Sequence, residues 1–170
     1  MIISILNCDK NFGIGKKNGL LFSLPKDMEF FRKTTLNHVV CMGENTLLSF
    51  PNSKPLPKRI NIVLSSDPSH NYEGVINVHS FDDFLKIIKE KSLEDDVFII
   101  GGASIYNQTL DYVDKVLLTK VDADGQAEVF FNNLDENKNF YLQEESVSIL
   151  DNGFKIKFTT YINLNKKTIL

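Results

Sequence analysis

A chain of 170 residues, 42% hydrophobic and 24% charged, is long enough for one domain with a full apolar core. Its net charge of −3, with lysines and arginines scattered rather than clustered, argues against a nucleic-acid-binding surface. Cys8 and Cys41 each fall in an apolar run, which reads as buried, reduced thiols rather than a disulfide. The opening Met1-Ile2-Ile3-Ser4-Ile5-Leu6 carries no basic leader and is too short for a membrane span, so a cytoplasmic protein without membrane contact is expected.

In chain order, residues 2–8 form the first predicted strand. A glycine-punctuated loop from Asn11 to Gly19 follows, and Leu24-Pro25-Lys26-Asp27 then opens a helix predicted over 25–34. A strand at 38–42, Gly43 and a helix at 44–50 come next. Three prolines between 51 and 57 exclude helix and central strand there and predict an extended loop. Strands at 60–65 and 74–78 precede a helix at 80–89, which begins near a capping box at Ser80 and Asp83 and repeats Phe81, Phe84, Leu85 and Ile88 at helical spacing. A strand at 97–100, the pair Gly101-Gly102 and a helix at 103–110 follow, then a strand at 113–121 and a polar loop at 124–128. Runs at 140–149 and 154–162 flank Asn152-Gly153, the strongest short hairpin signal. The whole reads as an α/β fold with a largely parallel sheet, an antiparallel C-terminal hairpin and four flanking helices. Residues 1–163 are expected to be a single domain, and 164–170 a frayed tail.

Asp27, Phe30 and Phe31 lie one turn apart, so an acid and an aromatic ring share a helix face. Burying such an acid is costly unless it binds something, which suggests a pocket for a flat, hydrogen-bonding ligand. The competing reading is a water-exposed acid favourably placed at a helix N-terminus. The junctions at Gly43 and Gly101-Gly102 leave backbone N–H groups free at helix starts, on one edge of a parallel sheet, where α/β folds bind nucleotides. Each junction alone reads equally well as a structural turn. No G-x-G-x-x-G or Walker spacing is present, and His38, His70 and His79 lack metal-ligand spacing, so no metal is expected. Arg59 reads, taken singly, as a solvated surface charge.

As an ordered set, Gly-Ile-Gly, Leu-Pro-x-Asp, Met-Gly-x-x-Thr, Pro-Leu-Pro, Leu-Ser-Ser, Ile-Gly-Gly-x-x-x-Tyr and Leu-Thr-x-Val-Asp-Ala, running from Met1 to about Ile162, resemble the dihydrofolate reductases of the bacterial, short-chain kind. The resemblance implies a three-layer fold on a mostly parallel eight-stranded sheet, and hydride transfer from NADPH to 7,8-dihydrofolate. It implies Asp27 as the pterin-pocket acid, Thr119 as the residue that fixes it, and Phe22 and Leu20 beside the reacting rings. Ile5, Met28, Phe31, Phe50, Leu56, Ile100 and Tyr106 match its apolar walls, and Arg59 the arginine that pairs with the glutamyl α-carboxylate. Residues 11–24 match a loop that closes over nicotinamide, giving Ile14, Gly15, Asn18, Gly19 and Leu20 cofactor contacts. Further cofactor contacts fall on Leu6 and Asn7, on Gly43, Asn45 and Thr46, on Leu64, Ser65 and Ser66, and on Gly101, Gly102, Ala103 and Ile105. The Gly101–Gly102 peptide is expected to be cis. Dihydrofolate and antifolate small molecules are the implied partners of a monomer.

Two departures from the family bear on chemistry. Phe22 stands where relatives nearly always have Trp, keeping a ring but losing the indole N–H. Glu44 and Ser104 stand where relatives place basic groups for the phosphates of NADPH, which predicts a weakened preference over NADH; His79 is the candidate replacement cation. Two other readings stay open: the related reductase domain of riboflavin biosynthesis, against which Asp27, Phe31 and Arg59 weigh, and a non-catalytic fold relative serving as a structural or nucleotide-binding module.

Overall fold

The computed structural model describes residues 1–17 and 19–170. The chain runs β1 (Ile2–Cys8), β2 (Gly13–Gly15), α1 (Pro25–Thr35), β3 (Val39–Gly43), α2 (Glu44–Ser49) and β4 (Ile60–Leu64). It continues through β5 (Ile76–Val78), α3 (Phe81–Ser92), β6 (Val97–Ile99), α4 (Ala103–Thr109) and β7 (Lys115–Val121). The last strands are β8 (Val129–Phe130), β9 (Phe140–Glu145), β10 (Ile149–Asp151) and β11 (Phe154–Asn163). The main sheet has the order β10-β11-β7-β1-β6-β3-β4-β5, with β9 paired to β11. The pairs from β7 to β5 are parallel, whereas β11 runs antiparallel to β7, β9 and β10.

Strands that are apolar at every position become the middle of this sheet because helices cover both of its faces. The side-chain period of two then sorts each strand between two cores. Ile2, Leu6 and Cys8 of β1 face α3 and α4 with Val39, Cys41, Ile62, Phe84, Ile88 and Ile105. Ile3 and Ile5 face α1 and α2 with Val40, Met42, Leu47, Phe98, Phe30 and Phe31. A register slip of one residue would exchange the two cores, so the alternation also decides which polar side chains look toward α1. On β1 that residue is Asn7, and on β7 it is Thr119.

Local signals act as expected at α3, where the Ser80 hydroxyl accepts the Asp83 N–H at 3.1 Å. Elsewhere the structure departs from the pattern. The run 140–149 breaks after Glu145, since Ser146 turns back on β11 by donating its N–H to Phe158 O and accepting the Phe158 N–H. Counted as one interrupted strand, β9 and β10 bring the main sheet to eight. A two-stranded sheet joins β2 to β8, strands of three and two residues that gave no strand signal. The proline segment is not wholly extended: Pro51–Ser53 forms a 3₁₀ turn with positive φ at Asn52 and Ser53.

The C-terminal residues are docked rather than frayed. Leu164 and Lys167 donate backbone N–H groups to Asn139 and Asp111, and Lys89 donates to Ile169 O at 2.8 Å. Lys166 and Lys167 pair with Asp114 and Asp111. The tail closes over the core beside α3, leaving Ile169 only 6% exposed. Replacing Ile169 with Ser is expected to cost about 2 kcal/mol in urea unfolding; an unchanged midpoint would place this side chain in solvent.

Candidate active site

Asp27 enters from the first turn of α1 and is 9% exposed. Thr119 Oγ1 donates to Asp27 Oδ1 at 2.7 Å, and Asn7 Nδ2 donates to Oδ2 at 3.1 Å. Burial outweighs these two hydrogen bonds, so the carboxyl is held above its ordinary 3.8, with the nearby Asp151 charge adding a smaller push in the same direction. The environment therefore favours a proton on Asp27 at a higher pH than a surface acid would hold one. The alternative of a water-exposed helix-start acid is excluded by this burial. Asn7 is thereby a hydrogen-bond partner of the acid, a role the motif reading did not assign it. Tyr106 underlies the same region, its buried phenol donating to Ile5 O at 2.8 Å.

The loop before α1 is tied to the segment around β8 by carboxylates that motif reading did not single out. Buried Asp9 accepts the N–H groups of Asn11, Gly13 and Gly125 at 2.7–3.0 Å. Gly13 cannot carry a side chain here, because a Cβ would sit 2.3 Å from Ala127 Cβ and 2.8 Å from Asp9 Oδ1. Glu128 accepts the Lys17 N–H at 2.7 Å and donates its own N–H to Gly15 O. Beyond these ties Leu20 is 80% exposed and does not wall the cleft in this conformation. Met28, a third of a turn from Asp27 and three residues before Phe31, is 63% exposed. Phe22 packs edge-on against Phe154 at 4.9 Å and belongs to a third cluster with Leu24, Val121 and Ile156. Asn18 lies outside the described residues.

The walls expected from the sequence assemble where α1 and α2 cover the sheet: Ile5 and Ile100 with Phe31, Phe50 and Leu56. Arg59 stands at their outer end. Its Nε is buried without a hydrogen-bond partner, and desolvation, with Arg32 nearby, lowers the guanidinium pKa. A buried, unpartnered guanidinium nitrogen fits an anionic ligand group that would complete it. The loop presenting Arg59 is pinned by Asn61, buried on β4, which exchanges hydrogen bonds with the Leu56 backbone at 3.0 Å and donates to Arg59 O at 3.1 Å. A separate concavity of about 720 Å³, between α1 and strands β7, β9 and β11, shares Thr119 and Phe30 with this region but not Asp27.

The second half of the site follows the C-terminal ends of β3, β4 and β6. The Gly101–Gly102 peptide is cis, and Gly43 N–H donates to Gly101 O at 2.9 Å, joining the two strand-helix junctions. Gly101 has φ +128 and lies against Thr46 and the Tyr106 ring, a conformation that favours glycine. No side chain caps α2 or α4, and Thr46, Ser66 and Ser104 offer hydroxyls along this edge. This donor set fits the pyrophosphate of a dinucleotide. Leu6, Ile14, Leu64 and Ile105 pack into the core on the α3 and α4 side beneath that edge.

The far end is different in charge. Glu44 Oε2 accepts Ser65 Oγ at 3.0 Å and Tyr72 OH at 2.5 Å, and His70 Nδ1 lies 2.8 Å from it. The Tyr72 hydrogen bond, above all, holds the Glu44 carboxyl below its usual range. Both ring nitrogens of His79 are engaged within the protein, facing Ser65 O and Asn71 Oδ1 at 2.9 Å. At this end Ser65, His70 and Tyr72 are thus already engaged with the Glu44 carboxylate.

Because the folded protein holds the Asp27 proton more tightly than the unfolded chain, stability is lost as pH rises from 3.8 through the raised value. Asp27→Asn is therefore expected to have a higher Tm than the parent at pH 7, with the difference shrinking toward pH 4. Parallel melting curves across that range check this; a variant less stable at pH 7 contradicts it.

A buried, proton-favouring acid beside an apolar slot, an unpartnered arginine nitrogen at one end and a dinucleotide edge at the other match what the sequence resemblance implies. A family model described as "Dihydrofolate reductase" matches residues 1–163. A dihydrofolate reductase of Bacillus subtilis is 34% identical over 166 residues, covering 97% of this chain and 96% of its own. One from Staphylococcus aureus is 36% identical over 132 residues, covering 77% and 78%. The solved dihydrofolate reductase of Enterococcus faecalis, in complex with NADP(H) and RAB-propyl, superposes with a TM-score of 0.84 at 26% identity over 96% of each chain. With the fold, the cleft and the sequence in agreement, the chain belongs to the dihydrofolate reductase family.

Proposed function

We propose that this chain, an NADPH-dependent reductase of 7,8-dihydrofolate, works through the cleft under α1 with Asp27 as its acid. Bound NADPH supplies the hydride, which is delivered to C6 of the pterin. Asp27 receives the pterin 2-amino and N3 hydrogens and favours a proton at N5, where positive charge raises the electrophilicity of C6. Thr119 and Asn7 hold the carboxylate in place while its burial keeps the proton available. Ile5, Phe31, Phe50 and Ile100 supply the apolar slot for the rings, and Arg59 takes the glutamyl α-carboxylate. Closure of the loop over the cleft brings Leu20 down from solvent and excludes water. Among the described residues no helix is long and apolar enough to cross a membrane. We place the enzyme in the cytoplasm as a monomer, which suits its two unpaired buried cysteines.

The observation that carries this reading is the buried, doubly hydrogen-bonded Asp27. Purified protein is expected to oxidise NADPH only when 7,8-dihydrofolate is added, and Asp27→Asn to lose at least about a hundredfold in rate. Dihydrofolate-independent oxidation, or a fully active Asp27→Asn, defeats the proposal.

Two residues tune it. The filled carboxylate site at Glu44 supports a narrow preference for NADPH over NADH. Glu44→Arg is expected to widen that preference by about tenfold or more in kcat/KM and in calorimetric affinity for NADP+ over NAD+; no change in either ratio counts against the assignment. Phe22 lacks an N–H to order water near the acid, so Phe22→Trp is expected to speed single-turnover hydride transfer while leaving substrate affinity within about threefold. An unaltered transfer rate removes that role from position 22.

A further inference from the structure

Residue Leu24, at the N-cap of α1, has no acceptor side chain, and Pro25 has no N–H. The first backbone donors of the helix that lack an intrahelical partner are those of Lys26 and Asp27. An acid at the third helical position ordinarily serves such a start itself, by folding back toward the cap or by lying against the macrodipole. Asp27 does neither, for both of its oxygens are turned to Thr119 and Asn7. The helix start is served from far along the chain instead. Asp151 Oδ1 accepts the Lys26 N–H at 3.1 Å and Oδ2 accepts the Asp27 N–H at 3.0 Å, and Asp151 is 1% exposed.

We infer that Asp151, at the turn of the C-terminal hairpin, is a positioning residue for the reaction: by taking the free N–H groups of α1, it leaves the Asp27 carboxylate aimed into the cleft. The inference rests on Asp27 as the acid of the reductase. Its neighbours strengthen the grip. Asn152 Nδ2 donates to Ser23 O at 3.0 Å, Lys26 Nζ donates to Leu150 O at 2.7 Å, and Phe154 packs on Phe22. One hairpin turn therefore holds the end of the loop, the start of the helix and the acid's own backbone.

Asp151 also places a second negative charge beside Asp27. The groups facing Asp27 are the neutral donors Thr119 and Asn7, the phenol of Tyr106 and the Asp151 carboxylate. The ammonium of Lys26 is engaged at Leu150 O. Glu29, Arg32 and Lys33 pair with one another on the exposed face of α1, and Asp122 and Lys155, beside the hairpin, are exposed. Among the described residues nothing cationic therefore offsets Asp151 at the acid, and its charge pushes the Asp27 proton affinity up.

Asp151→Ala and Asp151→Asn test this against three readouts: melting temperature, single-turnover reduction of dihydrofolate across pH, and a carbon-13 NMR titration of the Asp27 carboxyl in the protein alone. Asp151→Ala is expected to slow neutral-pH turnover by about tenfold, through misplacement of the acid. In both variants the Asp27 titration and the pH profile are expected to move to lower pH, because the like charge is gone. Asp151→Asn keeps the shape and one acceptor, so it carries the test should the alanine variant fail to fold. Folded variants that lose only melting temperature, with the Asp27 titration and pH profile of the parent, would make Asp151 merely structural and overturn the inference. If the parent does not reduce dihydrofolate at all, the functional reading fails separately, and the NMR titration still decides whether Asp151 governs the acid.

Discussion

Asp27 surrenders nearly all of its hydration and receives two hydrogen bonds in return, from Thr119 and Asn7. Hydrogen bonds to a charged group are worth about 1.5–3 kcal/mol each, whereas desolvating a carboxylate costs several kcal/mol even after relaxation. The exchange falls short, and the deficit appears as a raised proton affinity. A fold that keeps such a group must hold it rigidly, and much of the architecture here does so. The two donors project from adjacent parallel strands whose register presents Asn7 opposite Thr119. Apolar packing of Phe30 and Phe31 fixes the helix above them.

The second half of the cleft follows from sheet topology rather than from any single side chain. Parallel strands β3, β4 and β6 end together, and each of β3 and β6 gives way to a short helix after glycine. Polar backbone is thereby concentrated at one edge while the apolar cores stay closed beneath. The electrostatic contrast along this edge is large. Hydroxyls and uncapped helix starts lie near Gly101, and a carboxylate satisfied by Ser65, Tyr72 and His70 lies at the other end.

Much of this was legible in the residues themselves. The alternation of apolar runs and amphipathic stretches gave the strands, the four helices and the parallel core, because burial on both faces leaves a continuous apolar signature. Asp27 stood out as an acid on an apolar helix face. What escaped notice depends on partners far apart in sequence. Asp151 reads as part of a turn, Asn61 as a strand residue and Asp9 as a loop acid, and only folding shows which N–H groups they meet. The β2 and β8 strands are three and two residues long, too short for periodicity to register. Polar tail residues suggested fraying, yet the burial of one isoleucine and several backbone bonds hold the tail down. Leu20 matched the family's walls by position, but the course of the loop turns it outward.

The pairing of Asp151 with the start of α1 joins residues 124 positions apart, and β11, which follows it, lies against β7, one strand in from the edge of the sheet. During vectorial synthesis the N-terminal half can form βα units as it emerges from the ribosome. The acid's helix, however, has no terminal acceptor until almost the whole polypeptide has been released. Placement of the acid is thus among the last properties a nascent molecule acquires, and a prematurely terminated product lacking the hairpin would leave one side of β7 unpaired and the start of α1 without its acceptor.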